Sequence, residues 1–428
     1  MNVFVTVASL VVALSILVFV HELGHMVAAK RAGVVVEEFA FGYPPRLFAF
    51  WRSAGKIVID GEAIVIPRKF RPPAGVGARS LVLYETETDG KGRQVLTRLQ
   101  VVEPGEPGAK SAAVVDLFDG GTLFTLNAIP FGGFAKMLGE EDPTFPGSLA
   151  SKGKLSRFVV LGAGVAMNLL VAVVFFALAM GVGAPAVADP ENAVVIAVAP
   201  GSPAETAGLQ VGDVILKADD QDILVIQDII DYGWGKRGGP VVLTVQRGAD
   251  LLEIPVVPRA APPEGEGPIG IALGPRTTIK QYPWYEAIWG GLQRTVTMVI
   301  LIFTVPVQLI RGLIPLDMAR PVGPVGVGQI VGEAVQYSLD TGWWFPVMQL
   351  MGSLSVALAV TNLLPLPGLD GGRILFVIVE AIRGRRVDPA KEGLVHLVGL
   401  MILVAVMLFI TWQDVVNPVP SLDWSGFF

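Results

Sequence analysis

Four apolar stretches constrain this chain more than any other feature: Val3 to about Ala29, Phe158 to Val182, Val347 to Leu366 and Leu394 to Trp412. At ~1.5 Å of rise per residue, each is long enough for a hydrocarbon core of ~30 Å. The whole chain is 52% hydrophobic and only 16% charged, too apolar for an ordinary soluble protein of 428 residues. A polytopic α-helical membrane protein carrying a smaller water-soluble domain is the class this defines. No Lys or Arg precedes Lys30, so the first stretch reads as a retained transmembrane helix rather than a cleaved signal peptide.

A fifth stretch, Ala287 to Leu313, is broken by Gln293, Arg294, Pro306 and Gln308. Basic residues place it. Lys30 and Arg31 follow the first span, Lys152, Lys154 and Arg157 precede the second, and Arg373, Arg383, Arg385, Arg386 and Lys391 separate the third from the fourth. The positive-inside rule puts all of these in the cytoplasm, with both termini outside. That requires one crossing between the second span and Arg373. Four crossing helices are therefore expected, with 287–313 lying on the outer leaflet or dipping into it.

Two regions read as polar. Trp51 to Asp119 alternates strand-like patches, Lys56–Ile59 and Ser80–Tyr84, with Pro- and Gly-rich turns, and is expected to be a cytoplasmic β-rich insertion. Between the second and third spans, Val194–Val198, Val214–Leu216, Pro240–Val245 and Leu252–Val257 read as short strands, with an exposed connector at 262–268. The net charge of −6 with no long basic block excludes a nucleic-acid partner. The chain has no cysteine, so a metal would have to be held by His and carboxylate.

Such a set begins where the first apolar stretch ends. In His21-Glu22-Leu23-Gly24-His25, residues four apart stack on one helix face, so both imidazoles can reach one ion. Glu22 is turned ~100° from His21, beside the ion, where a carboxylate can accept a proton from water and pass it on. Interfacial histidines at a helix end are the bland alternative, but ionisable groups joined to a long apolar helix are costly and functional by default. Catalytic zinc takes three protein ligands and keeps one open position. His396, the remaining histidine, reads as interfacial. Asp370 stands in Asn362-Leu363-Leu364-Pro365-Leu366-Pro367-Gly368-Leu369-Asp370-Gly371-Gly372, a helix-breaking run that membranes tolerate only beside protein or a cavity. By the charge argument, Asp370 and the two histidines lie at the same, cytoplasmic level.

These two motifs resemble the site-2 protease family of intramembrane zinc metalloproteases, in its bacterial regulator-of-sigma-E-protease branch. Its HExxH is matched by His21–His25 and its NxxPxPxLDG by Asn362–Gly371, in the same order. The resemblance implies Zn2+ held by His21, His25 and Asp370, Glu22 as catalytic acid/base, and Asn362 on the substrate backbone or the developing oxyanion, with a helix-packing Asn as the alternative. Phe39–Tyr43 and Asn127–Met137 resemble the family's membrane-associated β-hairpin and its GG-containing loop, which makes Gly132 and Gly133 candidates for close approach to a substrate strand. An ordinary turn with aromatic anchors is the equal alternative. Ala199–Ala204 and Ala207–Ile215 are similar to a PDZ domain, serving as a size filter or a docking site for a C-terminus. Arg320–Val327 resembles a GP-containing turn with a structural role.

The expected organisation is a first transmembrane helix at 1–30, a β-rich region at 31–155, a second span at 156–184, a PDZ domain at 187–275, a surface or re-entrant region at 280–345, a third span at 346–372 and a fourth at 392–414. The resemblance further implies a monomer in the bacterial inner membrane, with the PDZ domain extracytoplasmic and the site near the cytoplasmic face. Substrates would be single-span membrane proteins such as anti-sigma factors or signal-peptide remnants, met within the lipid bilayer. Two other readings carry less: a membrane-anchored metalloprotease acting on soluble or misfolded proteins, and a non-enzymatic PDZ scaffold.

Overall fold

The computed structural model describes residues 3–103, 111–140, 142–263, 265–313, 320–420 and 424. Glu264 of the connector, and 104–110, 141 and 314–319 of the two flanking regions, lie outside the described residues. The chain forms two compact units: 1–177 with 288–336 and 347–420, and 178–287 with 337–346 and 421–428.

The first unit opens with α1 (Val3–Arg31), a run free of proline that ends at Gly33, φ +69°. β1 (Val36–Arg52) and β7 (Leu123–Met137) follow and close a two-stranded sheet in which each strand doubles back on itself. Residues Glu38–Phe41 thereby pair with Gly133–Lys136 and also with Leu123–Leu126, so the two segments singled out in the sequence are partners. Aromatic and aliphatic side chains at the bends (Tyr43, Leu47, Phe48, Ile129, Phe131) are exposed.

Between β1 and β7 the chain builds a closed barrel from β2 (Gly55–Ile59), β3 (Glu62–Ile66), β4 (Leu81–Thr88), β5 (Gln94–Val101) and β6 (Ala113–Asp119), in the order β2-β3-β5-β4-β6. The period-two side chains Ile57, Ile59, Ile64 and Ile66 point inward and meet Val82, Leu96, Leu99 and Val115. This core draws on no helix.

α2 (Lys154–Gly183) returns beside α1. α5 (Trp284–Ile310), α6 (Pro324–Thr341), α7 (Phe345–Leu363), α8 (Asp370–Arg383) and α9 (Pro389–Val416) complete the helical set. Ala13 and Leu17 of α1, Val331 of α6 and Met351 of α7 share one core, and Phe176 of α2 packs with Val356 and Val360 of α7 and Met298 of α5 in another. Among the described residues, five helices are long and apolar enough to cross a membrane: α1, α2, α5, α7 and α9. They are the four expected spans together with the interrupted fifth stretch, α5. α5 is one continuous helix through Arg294 and Pro306. The broken motif after α7 is a turn that ends at α8, whose first residue is Asp370.

The second unit is an antiparallel sheet of β8 (Ala184–Val198), β9 (Val214–Ala218), β10 (Gln221–Asp222), β11 (Val241–Arg247), β12 (Asp250–Val256) and β13 (Ile271–Lys280), with α3 (Pro203–Ala207) and α4 (Ile226–Gly235) packed on it. The core is formed by Val195, Ile215, Leu243 and Val245 of the sheet with Leu209 and Ile229. Ser202 caps α3 by accepting the Glu205 N–H, and Gly208 ends it at φ +82°. Buried Asp213 accepts the Gln210 N–H and two bonds from Arg247, at 2.7 and 2.8 Å.

Candidate metal centre

His21 and His25 occupy successive turns of α1 and are buried. Asp370 reaches them from the start of α8: its Oδ2 lies 2.9 Å from His21 Nε2 and 3.1 Å from His25 Nε2, and the two imidazole nitrogens are 3.1 Å apart. These three are the group of His and carboxylate ligands that the described residues bring together around one point.

Both outer ring nitrogens are held by α2. His25 Nδ1–H donates to the Val160 carbonyl of α2 at 2.8 Å, which leaves Nε2 as a lone pair facing inward. His21 Nδ1 lies 3.3 Å from the amide nitrogen of Asn168, also on α2, while Asn168 Oδ1 is buried without a partner. The Asn168 amide thus meets the outer nitrogen of the His21 ring and fixes its orientation. His21 Nε2 also faces inward, toward Asp370. The two imidazole nitrogens and the carboxylate oxygen converge at 2.9–3.1 Å of one another. The donor set therefore fits zinc, which takes imidazole and carboxylate ligands in such three-residue sites.

α2 leaves room for the ion. Gly164 faces the histidines, and a Cβ there would fall 2.6 Å from His21 Nε2 and closer still to His25 Nε2. Gly24 allows the helices to approach, since a Cβ on it would meet the Ala163 carbonyl oxygen at 2.5 Å. Asn168 is anchored in turn, its own carbonyl accepting the Ser355 hydroxyl of α7 at 2.7 Å.

Glu22 sits beside the ligands, its carboxylate accepting the Ala135 N–H of β7 at 3.1 Å. Gly132 and Gly133 stand on the same strand and are buried. Gly132 has φ +72° and donates its N–H to Ser15 of α1 at 3.2 Å, and Gly133 packs against the Ala40 carbonyl of β1. Asn362 turns back into its own helix, donating to Leu358 O at 3.0 Å, and does not meet the histidine cluster. His396 lies away from the ligands and accepts the Gly368 N–H at 2.9 Å, holding the turn that delivers Asp370. The Arg320–Val327 segment begins α6, with the Gly326 N–H bonded to buried Asp414 of α9 at 2.8 Å.

Sequence reasoning missed Asn168 and Gly164. Asn168 did carry a signal, because it is the one strongly polar side chain in the second apolar stretch. Gly164 carried none, among the 50 glycines of the chain.

A histidine pair and a carboxylate around one point, on a helix long and apolar enough to span, define a membrane-embedded metallohydrolase type of site. Comparison with known proteins agrees. The model of peptidase family M50 matches residues 9–58 and 111–406. Zinc metalloprotease RasP of Oceanobacillus iheyensis is 30% identical, over 96% of this chain and 98% of its own. Regulator of sigma-W protease RasP of Bacillus subtilis is 27% identical, over 96% and 98%. Among solved structures, the PDZ domain of an SdrC-like protein from Listeria monocytogenes is 27% identical over 19% of this chain and 87% of its own, with a TM-score of 0.18. The chain belongs to peptidase family M50. It is a zinc metalloprotease and an integral membrane protein.

Proposed function

We propose that this protease hydrolyses peptide bonds in or near the transmembrane segment of single-span membrane proteins, such as anti-sigma factors or signal-peptide remnants. The observation that carries this reading is the position of the ligands: His21 and His25 continue an apolar helix of spanning length, and Asp370 meets them there. A metalloprotease working on soluble proteins would carry its histidine helix in a polar domain.

In this reading His21, His25 and Asp370 hold the metal, and Asn168 and Val160 fix the two imidazoles. Zinc, when bound, supplies Lewis-acid polarisation of the scissile carbonyl and makes the attacking water more acidic. Glu22 takes the proton from that water and delivers it to the leaving amine. A substrate helix hides its carbonyls and must be unwound before attack. Pairing with the β7 edge at Gly132–Ala135 would hold it extended. The Ala135 N–H that fixes Glu22 lies on that edge, so an incoming strand takes over the donor and frees the carboxylate. Asn362 is the further candidate contact for the substrate backbone, which requires its side chain to leave the Leu358 carbonyl.

The helices support a re-entrant reading of α5 and α6. α6 climbs the outer half of α1, Gly328 against Leu10 and Gly332 against Thr6, so it leaves by the side on which α1 begins. α5 starts beside the C-terminal half of α2, with Gly291 against the Val173 carbonyl, which is the same side. The proposed reading has four crossings, the metal at the cytoplasmic level, the inner membrane of a bacterium as the location, and the chain acting as a monomer. The second unit then serves as a PDZ-type filter or dock on the extracytoplasmic side. Its sheet edge β13 and α4 enclose an apolar groove lined by Ile229, Trp234, Ile271 and Leu273.

The test uses the full chain in detergent with a single-span substrate trimmed of its ectodomain. Cleavage within the span, lost by a factor of about 10²–10⁴ in Glu22→Gln with zinc content unchanged, is the expected result. Equal activity of wild type and Glu22→Gln refutes the assignment of Glu22. Cleavage confined to soluble proteins refutes the substrate class.

A further inference from the structure

Most of the barrel, residues 59–110, falls outside the ranges matched by the family. It carries a feature that peptide hydrolysis does not use. Where the loop after β3 meets β1, a cleft of about 700 Å³ is lined by Phe50, Trp51, Arg52, Arg68, Lys69 and Arg71 among others, with no carboxylate in its wall. Arg68, Lys69 and Arg71 are exposed, and among the described residues none of them has an ion pair or hydrogen bond. Arg68 is stacked on the Trp51 ring at 4.9 Å, a cation–π contact that holds its guanidinium over the cleft. Two other barrel cations are paired, Arg93 with Asp89 and Arg98 with Glu85. Arg52 also borders a neighbouring cleft that contains Glu37 and Asp119, which leaves the other three as the uncompensated cations. Like charges gathered in one cleft without counter-charge call for an anion, and guanidinium forks match phosphate oxygens.

The surroundings say which anion. Leu47, Phe48 and Phe50 are 61%, 54% and 62% exposed, so both faces of this strand present apolar side chains outward. A strand of that kind suits lipid and not water. Along the chain the order is apolar (47–50), then Trp51, then cations, the gradient of a membrane–water interface. The level agrees as well. Trp51 packs on Phe124 with centroids 4.5 Å apart, and Lys30, at the end of α1, lies 6.0 Å from the same ring. The cleft thus stands where the first apolar helix ends.

We propose that this cleft binds the headgroup phosphate of an anionic phospholipid through Arg68, Lys69 and Arg71, with the exposed β1 side chains among the acyl chains. The barrel then works as a lipid-reading anchor beside the β1–β7 sheet, an activity separate from hydrolysis.

Native mass spectrometry of the full chain in a neutral detergent tests this, titrating phosphatidylglycerol, phosphatidylcholine and inorganic phosphate. Each cation near an anionic surface contributes about fivefold in affinity. The triple variant R68Q/K69Q/R71Q should therefore bind phosphatidylglycerol about 100-fold more weakly, and R71Q alone about fivefold. The charge-matched control K91Q/R93Q/R98Q, on exposed barrel positions, should change by less than about threefold. Unchanged elution and thermal unfolding verify that the variants fold, and the single variant decides the matter if the triple does not. The proposal is overturned by undiminished binding in R71Q and the triple, by an equal loss in the control, or by phosphatidylcholine binding as tightly as phosphatidylglycerol. Inorganic phosphate displacing the lipid at comparable concentration overturns it too, by assigning the cleft to a free anion.

Discussion

Gly164→Ala isolates the metal centre from every residue that a motif search would select. The added Cβ would stand 2.6 Å from both Cε1 and Nε2 of His21. Ordinary van der Waals contact begins at 3.4 Å, so the ring must retreat by about 0.8 Å, whereas metal–ligand distances tolerate only ~0.2 Å. At least one imidazole is lost from the set. Zinc affinity should fall by more than the ~10–100-fold that follows loss of an outer hydrogen-bond partner of a ligand. Stability should not fall in parallel, since alanine gains about 1 kcal/mol of helix propensity over glycine. Gly162→Ala is the matched control, two residues away with nothing within 4 Å of its added Cβ. The assay is zinc stoichiometry of the full chain at buffered free zinc, alongside thermal unfolding and substrate cleavage. Wild-type zinc affinity and cleavage in Gly164→Ala would refute the reasoning, because α2 could then not be packed on His21 and His25 as described. Equal loss in Gly162→Ala would also refute it, by making the effect one of the helix and not of the contact.

Two further outcomes test the surroundings of the site and of the second unit. Asn168→Ala deprives His21 Nδ1 of its partner on α2 and should weaken zinc binding ~10–100-fold in a competitive chelator titration, while Asn168→Asp, which keeps a partner there, should recover most of it; unchanged affinity in the alanine variant would remove Asn168 from the site. Burial works to raise the Asp213 carboxyl, but the bonds from Arg247 and from the Gln210 N–H outweigh it and hold it below the usual carboxylate range. A depressed folded value stabilises above the unfolded value of about 3.9 and is lost as pH falls below it. Exchange of the Val195 amide, which bonds to the Asp213 carbonyl at 2.9 Å, should therefore speed up below about pH 4 after correction for the intrinsic rate. Arg247→Ala should abolish most of that pH dependence, and retention of it would mean another group is responsible.

The candidate ligand group was legible because its chemistry is local or tied to a break in the pattern. Two histidines on successive turns flank a glutamate, and Asp370 follows two prolines and a glycine at the end of an apolar run. What α2 supplies was not legible in the same way. Val160 acts through its carbonyl, Gly164 through an absent side chain, and neither leaves a mark on residue type. Asn168 did leave one, as a buried polar group in an apolar helix. Strand patches at Lys56–Ile59 and Ser80–Tyr84 were visible by alternation, but closure of the barrel was not. It depends on β2 pairing with β6, Lys56 opposite Asp119, and no local periodicity encodes a partner so far along the chain. The extent of α5 was hard to read for a related reason. Arg294 and Pro306 interrupt its hydropathy without interrupting its helix, whose stability comes from packing Met298, Val299 and Ile302 on α2 and α7.

The way the barrel is attached makes its independence from the metal centre testable. The chain leaves β1 at Arg52 and re-enters β7 at Leu123, and these two residues are paired. The Ser53 N–H donates to the Thr122 carbonyl at 2.9 Å, so the excursion begins and ends within a single ladder step. Its core, from Ile57 to Phe118, contains no residue of the helices or of β1 and β7. An insertion closed in this way adds a domain without moving the strand that presents Ala135 to Glu22. Replacing residues 54–121 by a two-residue Asn-Gly turn should therefore leave zinc stoichiometry intact and cleavage of a detergent-solubilised substrate within about threefold of wild type, since such turns suit a directly paired hairpin. Preferential retention of phosphatidylglycerol should disappear in the same variant. If zinc is lost on deletion, the barrel holds the β1–β7 sheet in register and is part of the catalytic scaffold. If zinc and lipid preference both persist, the anionic lipid is read elsewhere, and Arg68, Lys69 and Arg71 are only a solvated face.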